Sequence, residues 1–380
     1  MENTLTLVTK LARTYQTDAV SGDIITLIDS GVDWDEVLGL MQYHRVSALC
    51  LQALKKLNQP AVPARLLKEL QSECTEHTRN ALVLMSELQR LMALSRQHGI
   101  DVVSFKGIVA AQLIYGQLSM RNFSDIDLYT RGSDHARCEQ MLLENGYRLT
   151  QRYDDAFQSG LRNDSRWVNV DLHWGIPPRE LHLASDLLWD DVTTITIGGV
   201  SIPTFSLNDS VLLTAVNAVK AYWESRLYRF CDLAELLRRH PQLDWSAVFR
   251  RARQLGCRRI LEAALLVTQQ LLDAPVPRDI AKQIGRRQGS SMVVEELLAQ
   301  LAEENDDSDE AGYRQTLRIA SAKHYFLALQ DSAWHRWCYW WRWATTPGAA
   351  DRELVKLPSA LASLYYFIRP IRLLFKPHDS

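Results

Sequence analysis

The sequence has almost no net charge, no paired cysteines, no long apolar run and no internal repeat. Its 43 Lys and Arg nearly cancel 45 Asp and Glu, so no global electrostatic footprint points to nucleic acid or to an anionic membrane. Six cysteines (Cys50, Cys74, Cys138, Cys231, Cys257, Cys338) are scattered without a C-x-x-C pair. Their spacing argues against a zinc ribbon and offers no disulfide framework, and reduced thiols are expected. The first stretch, MENTLTLVTKLARTYQTD, lacks the continuous apolar segment of a secretory signal. No run approaches the ~18 apolar residues of a membrane span. The expectation is a cytoplasmic protein with no membrane span.

What is present is ordinary globular composition. The chain has 380 residues, 47% apolar and 23% charged, enough for a large core and for two or three domains at roughly 100–200 residues each. From Thr4 to about His98 apolar residues recur at three- and four-residue spacing, and ARLLKELQSECTEHTRNALVLMSELQRLMALSRQHG predicts one long amphipathic helix stopped by Gly99. Asp33 and Asp35 suit the first turn of an earlier helix. IDVVSF suits a buried strand, IVAAQLIYG a short helix closed by Gly116, SDIDLYT a strand and HARCEQMLLENGY a helix. RLTQRYDD and RWVNVDLHW read as further strands, and TTITIGGVSIPTF as a hairpin about Gly-Gly. Helical periodicity returns from Leu207, and EENDDSDEA (303–311) marks a solvated loop. The fold class is therefore α+β and predominantly helical: a helical region at 1–98, a small mixed-sheet core at 99–206 and a second helical region at 207–380.

The chemistry concentrates in the centre. Side chains two apart on a strand share a face, so Asp125 and Asp127 point the same way while Ile126 and Leu128 point the other. Two carboxylates that close repel unless one is protonated or a cation sits between them, and a hard divalent ion such as Mg²⁺ suits such oxygen ligands. In WVNVDLHW, Asp171 shares a face with Trp167, Asn169 and His173. Aspartate is disfavoured in mid-strand, and beside the first pair it would complete a two-metal site. On spacing alone a plainer reading stands beside this one, an exposed edge strand with alternating polar residues.

The string FKG-x7-YG-x4-R-x3-DID, followed by VDLHW, resembles the uncharacterised nucleotidyltransferase family of the polymerase-β-type nucleotidyltransferase superfamily. RVSALCLQAL, DLAELLRRHPQLDW and the tail LP-x6-YY-x2-RPIRLL extend the resemblance over nearly the whole chain. It implies a strand–turn–helix–strand core in which Gly107 brings backbone N–H groups to nucleotide phosphates. It implies that Asp125 and Asp127 hold metal, that Asp171 completes the site, and that Lys106 and Arg121 contact the triphosphate. Two departures stand out. Gly107 is followed by Ile108, not by the superfamily's usual Ser or Gly, and in NAVKAYW Asn217 and Ala221 replace expected histidines, while Lys220 and Trp223 are kept.

The expected function is transfer of a nucleoside monophosphate from an NTP, ATP included, to an acceptor with release of pyrophosphate, using Mg²⁺, two ions by analogy. Asp125, Asp127 and Asp171 are the catalytic and metal residues. Lys106, Gly107, Arg121 and Lys220 bind nucleotide. The near-zero net charge favours a small molecule, peptide or protein over RNA as acceptor. The alternative is a nucleotide-binding or protein-interaction module without transfer activity. Three further features have plain structural readings. His173 either touches the site or packs with its ring bonded to backbone, and His44 is structural. Lys220, Arg226 and Asp232 are solvated or paired helix charges unless their helices close over the nucleotide. Trp334, Trp337 and Trp341, at i, i+3 and i+7, read as a core stripe, although Arg336 and Arg342 between them also fit a stacking platform. The tail LYYFIRPIRLLFK is expected to dock on the protein's own helices, broken into short pieces by Pro358 and Pro370.

Overall fold

In the computed structural model, which describes residues 2–153, 157–177, 181, 183–220, 225–285, 290–302, 324–346, 355 and 364–375, the N-terminal region is helical as its periodicity predicts. The helices are α1 (Glu2–Leu11), α2 (Asp18–Asp29), α3 (Trp34–Tyr43), α4 (Ser47–Leu57) and α5 (Ala64–Gln97). The Asp33 carboxylate accepts from the N–H groups of Asp35 and Glu36, satisfying two of the orphan donors at the start of α3. The end of α5 is set by Gly99, whose φ of +60° lets the chain reverse. The N–H of Ile100 then donates to the Ser95 carbonyl at 2.9 Å and closes the last turn.

Beyond that turn lie β1 (Val102–Ser104), α6 (Gly107–Tyr115), β2 (Asp125–Thr130), α7 (His135–Glu144), β3 (Arg148–Tyr153), β4 (Gln158–Asn163) and β5 (Val168–His173). The five strands form one sheet in the order β1-β2-β5-β4-β3, in which only β2 and β5 run parallel. Strand β2 is thus interior, flanked on both sides. The edge-strand reading of DID is excluded. Strand β4 carries no apolar alternation, because its buried positions are Ser159, Leu161 and Asn163. Hydrogen bonds replace hydrophobicity there: the Ser159 hydroxyl donates to Glu139 Oε2 at 2.9 Å. The hairpin β6 (Val192–Ile197) and β7 (Val200–Phe205) forms a separate two-stranded sheet against β1. Gly198 and Gly199 at its tip both have positive φ, as a two-residue turn of matching twist requires.

The C-terminal part adds α8 (Leu207–Val219), α9 (Leu227–Arg239), α10 (Trp245–Leu255), α11 (Arg258–Leu272), α12 (Arg278–Gly285) and α13 (Ser290–Ala302), then the helices Ala333–Thr345 and Tyr365–Phe375. Two apolar clusters organise the molecule. One joins α1–α4 to α8–α11, so helices from both ends of the chain share a core. The other lies between the sheet, α5, α6 and α7. The buried pair of Asp209 and Arg251, bidentate at 2.7 and 2.9 Å, ties α8 to α10.

The tryptophan expectation is corrected. Trp334, Trp337 and Trp341 are exposed, and they stack on one another with centroids 5.0 and 5.7 Å apart. The inward face of that helix is Tyr339 and Ala344 instead. A helical period shows that one face is aromatic, not that this face is the buried one. The tail does dock on a helix of its own chain: Arg369 Nε donates to the Trp343 carbonyl at 2.9 Å. Pro370 nevertheless lies inside the helix Tyr365–Phe375 and does not end it. The loop at 303–311, Ala221, Trp223 and Pro358 lie outside the described residues.

Candidate active site

The parallel pairing of β2 with β5 builds the site. Its register sets Asp125 opposite Asn169, Asp127 opposite Asp171 and Tyr129 opposite His173. Because side chains alternate along each strand, one face of this two-strand unit carries all three carboxylates and the imidazole. The opposite face, Ile126, Leu128, Val168, Val170 and Leu172, is buried in the core beneath the sheet. The alternation that hides the aliphatic residues is what aims the acids outward.

Asp127 is the hub. Its Oδ1 accepts from Lys106 Nζ at 2.7 Å and lies 3.1 Å from His173 Nε2, which is itself 3.3 Å from Lys106 Nζ. Burial by itself pushes the Asp127 carboxyl up, but Lys106 and then His173 override it and hold the group well below the usual carboxylate range. Its neighbours move the other way. Burial, then the charge of Asp127, pushes Asp125 up to about 6, against the opposing fields of Lys106, Arg121 and Arg45. Burial, then Asp127 and Asp125, pushes Asp171 up to about 7. The His173 imidazole is lowered to about 4 by burial and by Lys106, so it is neutral at pH 7. Asp125 and Asp171 thus hold their protons to higher pH than ordinary carboxyls, because burial and the charges of their fellow acids outweigh the nearby cations.

Aromatic rings hold these groups in place. Phe105 meets His173, Tyr129 and Phe205 edge-on at 5.4, 5.9 and 5.7 Å, and Lys106 Nζ sits 4.6 Å from the centre of the Phe105 ring. His173 therefore belongs to the site and is not bonded through its ring to backbone. Its Nδ1 is buried without a hydrogen-bond partner.

Among the described residues, one group of potential metal ligands closes within 4.8 Å: Asp127, Asp171 and His173. Asp125 lies one pleat further along β2 and is linked to this group by charge. The two carboxylates of this group suit a hard divalent cation, and the His173 imidazole is its nitrogen donor.

Gly107 opens α6 immediately after Lys106. Its φ is +43°, and a Cβ at this position would come 3.3 Å from the Asp125 carbonyl oxygen. Both conditions exclude a side chain. Gly107→Ala is expected to cost about 1–2 kcal/mol of stability, measured by urea unfolding, and to push the turn away from β2. Ile108 is 2% exposed and belongs to the core under the sheet. The position after the glycine thus serves packing, where a hydroxyl would face a phosphate.

The remaining residues singled out in the sequence are placed as follows. Arg121 Nε donates to Asp232 Oδ2 at 2.8 Å, and the Tyr115 hydroxyl donates to Asp232 Oδ1 at 3.0 Å. Arg121 therefore reaches the site through its charge, with one donor already committed. Lys220 caps the C-terminus of α8, and burial, then the cations Lys106 and Arg229, pushes its ammonium well below the ordinary lysine range. His44 is buried between α3 and α9, its Nδ1 accepting from the Leu227 N–H at 3.3 Å, consistent with a structural role. Arg45, beside His44, has no sequence signature, yet its charge acts on Asp125. Its position depends on the docking of the turn after α3 onto the start of α9, where the Tyr228 N–H donates to the His44 carbonyl at 3.2 Å, which no local pattern encodes.

No curated protein matches this chain. Among solved structures, an antigenic nucleotidyltransferase-like protein from Paracoccidioides brasiliensis aligns over 54% of this chain and 93% of its own, with 17% identity and a TM-score of 0.36. The model of a family described as uncharacterised nucleotidyltransferase matches residues 30–273, a span that holds the Lys-Gly turn, all three carboxylates and helices α8 to α11, and the chain belongs to that family.

Proposed function

We propose that the protein transfers a nucleoside monophosphate from an NTP to an acceptor hydroxyl, releasing pyrophosphate, in a reaction that depends on a divalent metal. The observation that carries this reading is the in-register pairing of Asp127 with Asp171 across parallel strands, with Asp125 on the same face. Asp125, Asp127 and Asp171 would hold the metal, Mg²⁺ by the nature of the donors and two ions by analogy with the superfamily. When bound, such ions neutralise charge on the phosphoryl oxygens.

The chain's own residues supply the rest. Gly107 lets the N-terminus of α6 approach phosphate oxygens without a side chain intervening, and that helix end carries a partial positive charge. Lys106 and Arg121 set a positive potential against the triphosphate, and Lys220, whose charged form burial disfavours, would gain its proton beside it. Asp171 would also orient the acceptor hydroxyl and take its proton. The acceptor oxygen then bonds to the α-phosphorus, the bond to the bridging oxygen breaks, and pyrophosphate leaves with the electron pair. The acceptor is proposed to be a small molecule, peptide or protein, because the chain's nearly balanced charge disfavours RNA. No helix among the described residues is long and apolar enough to cross a membrane.

Calorimetric titration with each NTP, with and without Mg²⁺, tests the reading. Binding is expected to tighten strongly with the metal, that gain is expected to be lost in Asp127→Asn, and tight binding should be accompanied by label transfer from an α-labelled NTP. Equal NTP affinity with and without Mg²⁺, unchanged in Asp127→Asn, would reduce the protein to a binding module.

A further inference from the structure

Tyr228, in the first turn of α9, is ringed by arginines from three parts of the chain. The guanidinium carbons of Arg45, Arg121 and Arg229 lie 5.9, 5.5 and 5.6 Å from its ring centre. Arg226 turns aside, lying 3.6 Å over the Tyr43 ring and donating to the Tyr43 carbonyl. The carboxylate that serves this ring is Asp232, and it is already bound to Arg121 and to the Tyr115 hydroxyl. Arg45 and Arg229 have no carboxylate partner among the described residues. Among the described residues the Arg229 side chain donates to the Tyr228 hydroxyl, at 3.4 Å through Nε, and no acceptor meets its buried Nη1.

A buried guanidinium N–H without an acceptor is costly, and native structures rarely keep one unless a ligand completes it. The backbone gives a second sign. Arg45 has a φ of +55° in the turn after α3, a position that usually holds Gly or Asn. Its N–H and that of Val46 close the helix end on the Gln42 and Met41 carbonyls, at 3.0 and 2.9 Å. Any residue makes those bonds, and glycine makes them without strain. Retention of a long cationic side chain there points to a use for the charge.

The ring also adjoins the acids. Arg45 and Arg121 both act on Asp125, and Arg229 and Lys106 both act on the buried Lys220. Lys106 is paired with Asp127 and Arg121 with Asp232, whereas among the described residues Arg45, Arg229 and Lys220 form no ion pair with a carboxylate.

We propose that Arg45 and Arg229, which flank the Tyr228 ring, bind a di- or triphosphate group next to the carboxylates together with Lys220; its assignment to the phosphate chain of an NTP rests on the nucleotidyl-transfer reading. The two guanidinium forks match phosphate oxygens in pairs, and Lys220, whose charged form burial disfavours, would gain its proton beside the phosphates. The turn between α3 and α4 thereby becomes part of the site, although it lies far from the sheet in sequence.

The test uses the full chain and inorganic tripolyphosphate in the absence of divalent metal. Wild type is expected to bind it, and Arg45→Gly and Arg229→Gln are each expected to weaken binding roughly tenfold or more. Glycine suits the backbone at position 45, so Arg45→Gly should unfold at no lower urea concentration than wild type, which separates loss of the ligand from loss of the fold. A second arm measures Mg²⁺-ATP. A parallel loss supports the nucleotide as the phosphate source, and an unchanged ATP affinity supports a phosphorylated acceptor in the same pocket. Equal tripolyphosphate binding by wild type and both variants, or none by wild type, overturns the proposal. Asp127→Asn keeps the pocket and should still bind tripolyphosphate, so failure of the metal reading remains distinguishable from failure of this one.

Discussion

Asp171→Asn is expected to lower nucleotidyl transfer by roughly 10²–10³-fold or more while making the protein more stable. The two effects share one cause. Asp171 has its carboxyl raised from an ordinary 3.8 to about 7 because folding buries it and sets it beside Asp127 and Asp125. A group whose folded pKa lies above its unfolded pKa binds more protons in the folded state, so its contribution to stability is greatest below pH 3.8 and is lost as pH rises through about 7. At pH 8 the ionised carboxylate opposes folding by about 2–4 kcal/mol, after allowance for its partial exposure. Asparagine keeps the shape and removes the charge. Urea unfolding of the variant should therefore show a gain of that order at pH 8 that shrinks toward zero near pH 4. Mg²⁺ should raise the unfolding temperature of wild type and leave Asp171→Asn nearly unmoved, since a cation relieves the same repulsion. A variant no more stable than wild type at pH 8 would mean that the acids are not in electrostatic conflict, and would remove the argument for a cation among them.

This conflict is also the feature of the site most legible in the sequence. Asp125 and Asp127 declared a shared face by their spacing alone, and Asp171 stood out because a strand interior disfavours aspartate. Gly107 and the Gly198-Gly199 tip were legible for a related reason: positive φ leaves few alternatives to glycine. The illegible parts are those decided by non-local packing. Strand β4 escaped notice because Ser159 and Asn163 are buried through hydrogen bonds where apolar alternation would be expected. The Trp334 stripe had the right period and the wrong side, since period carries no information on which face meets a neighbour. Arg45 acts on Asp125 only in the folded chain, where the turn after α3 is docked on the start of α9. The partner of Arg121 was out of reach for the same reason: Asp232 lies 111 residues further along the chain.

That last pair carries the largest expected stability effect. Side-chain exposure is 8% for Arg121 and 3% for Asp232, so neither charge is relieved by water. Arg121→Met would leave Asp232 buried with only the Tyr115 hydroxyl to support it, and is expected to cost about 3–5 kcal/mol in urea unfolding. Asp232→Leu should cost about as much, because it strands the guanidinium instead. The double variant Arg121→Met/Asp232→Leu removes both charges and should regain most of the loss, since well-packed apolar side chains commonly replace a buried pair at little cost. Additive losses in the double variant would show that the two residues are not a coupled unit. The folded double variant then isolates what the pair does for function. Arg121 opposes the upward shift of Asp125, so its removal lets that carboxyl hold its proton to higher pH and compete with metal. Mg²⁺-dependent NTP binding should accordingly be weaker than wild type at pH 6 and recover as the pH is raised toward 8. A deficit that does not change with pH would instead assign Arg121 a direct contact to the phosphates through its remaining donors.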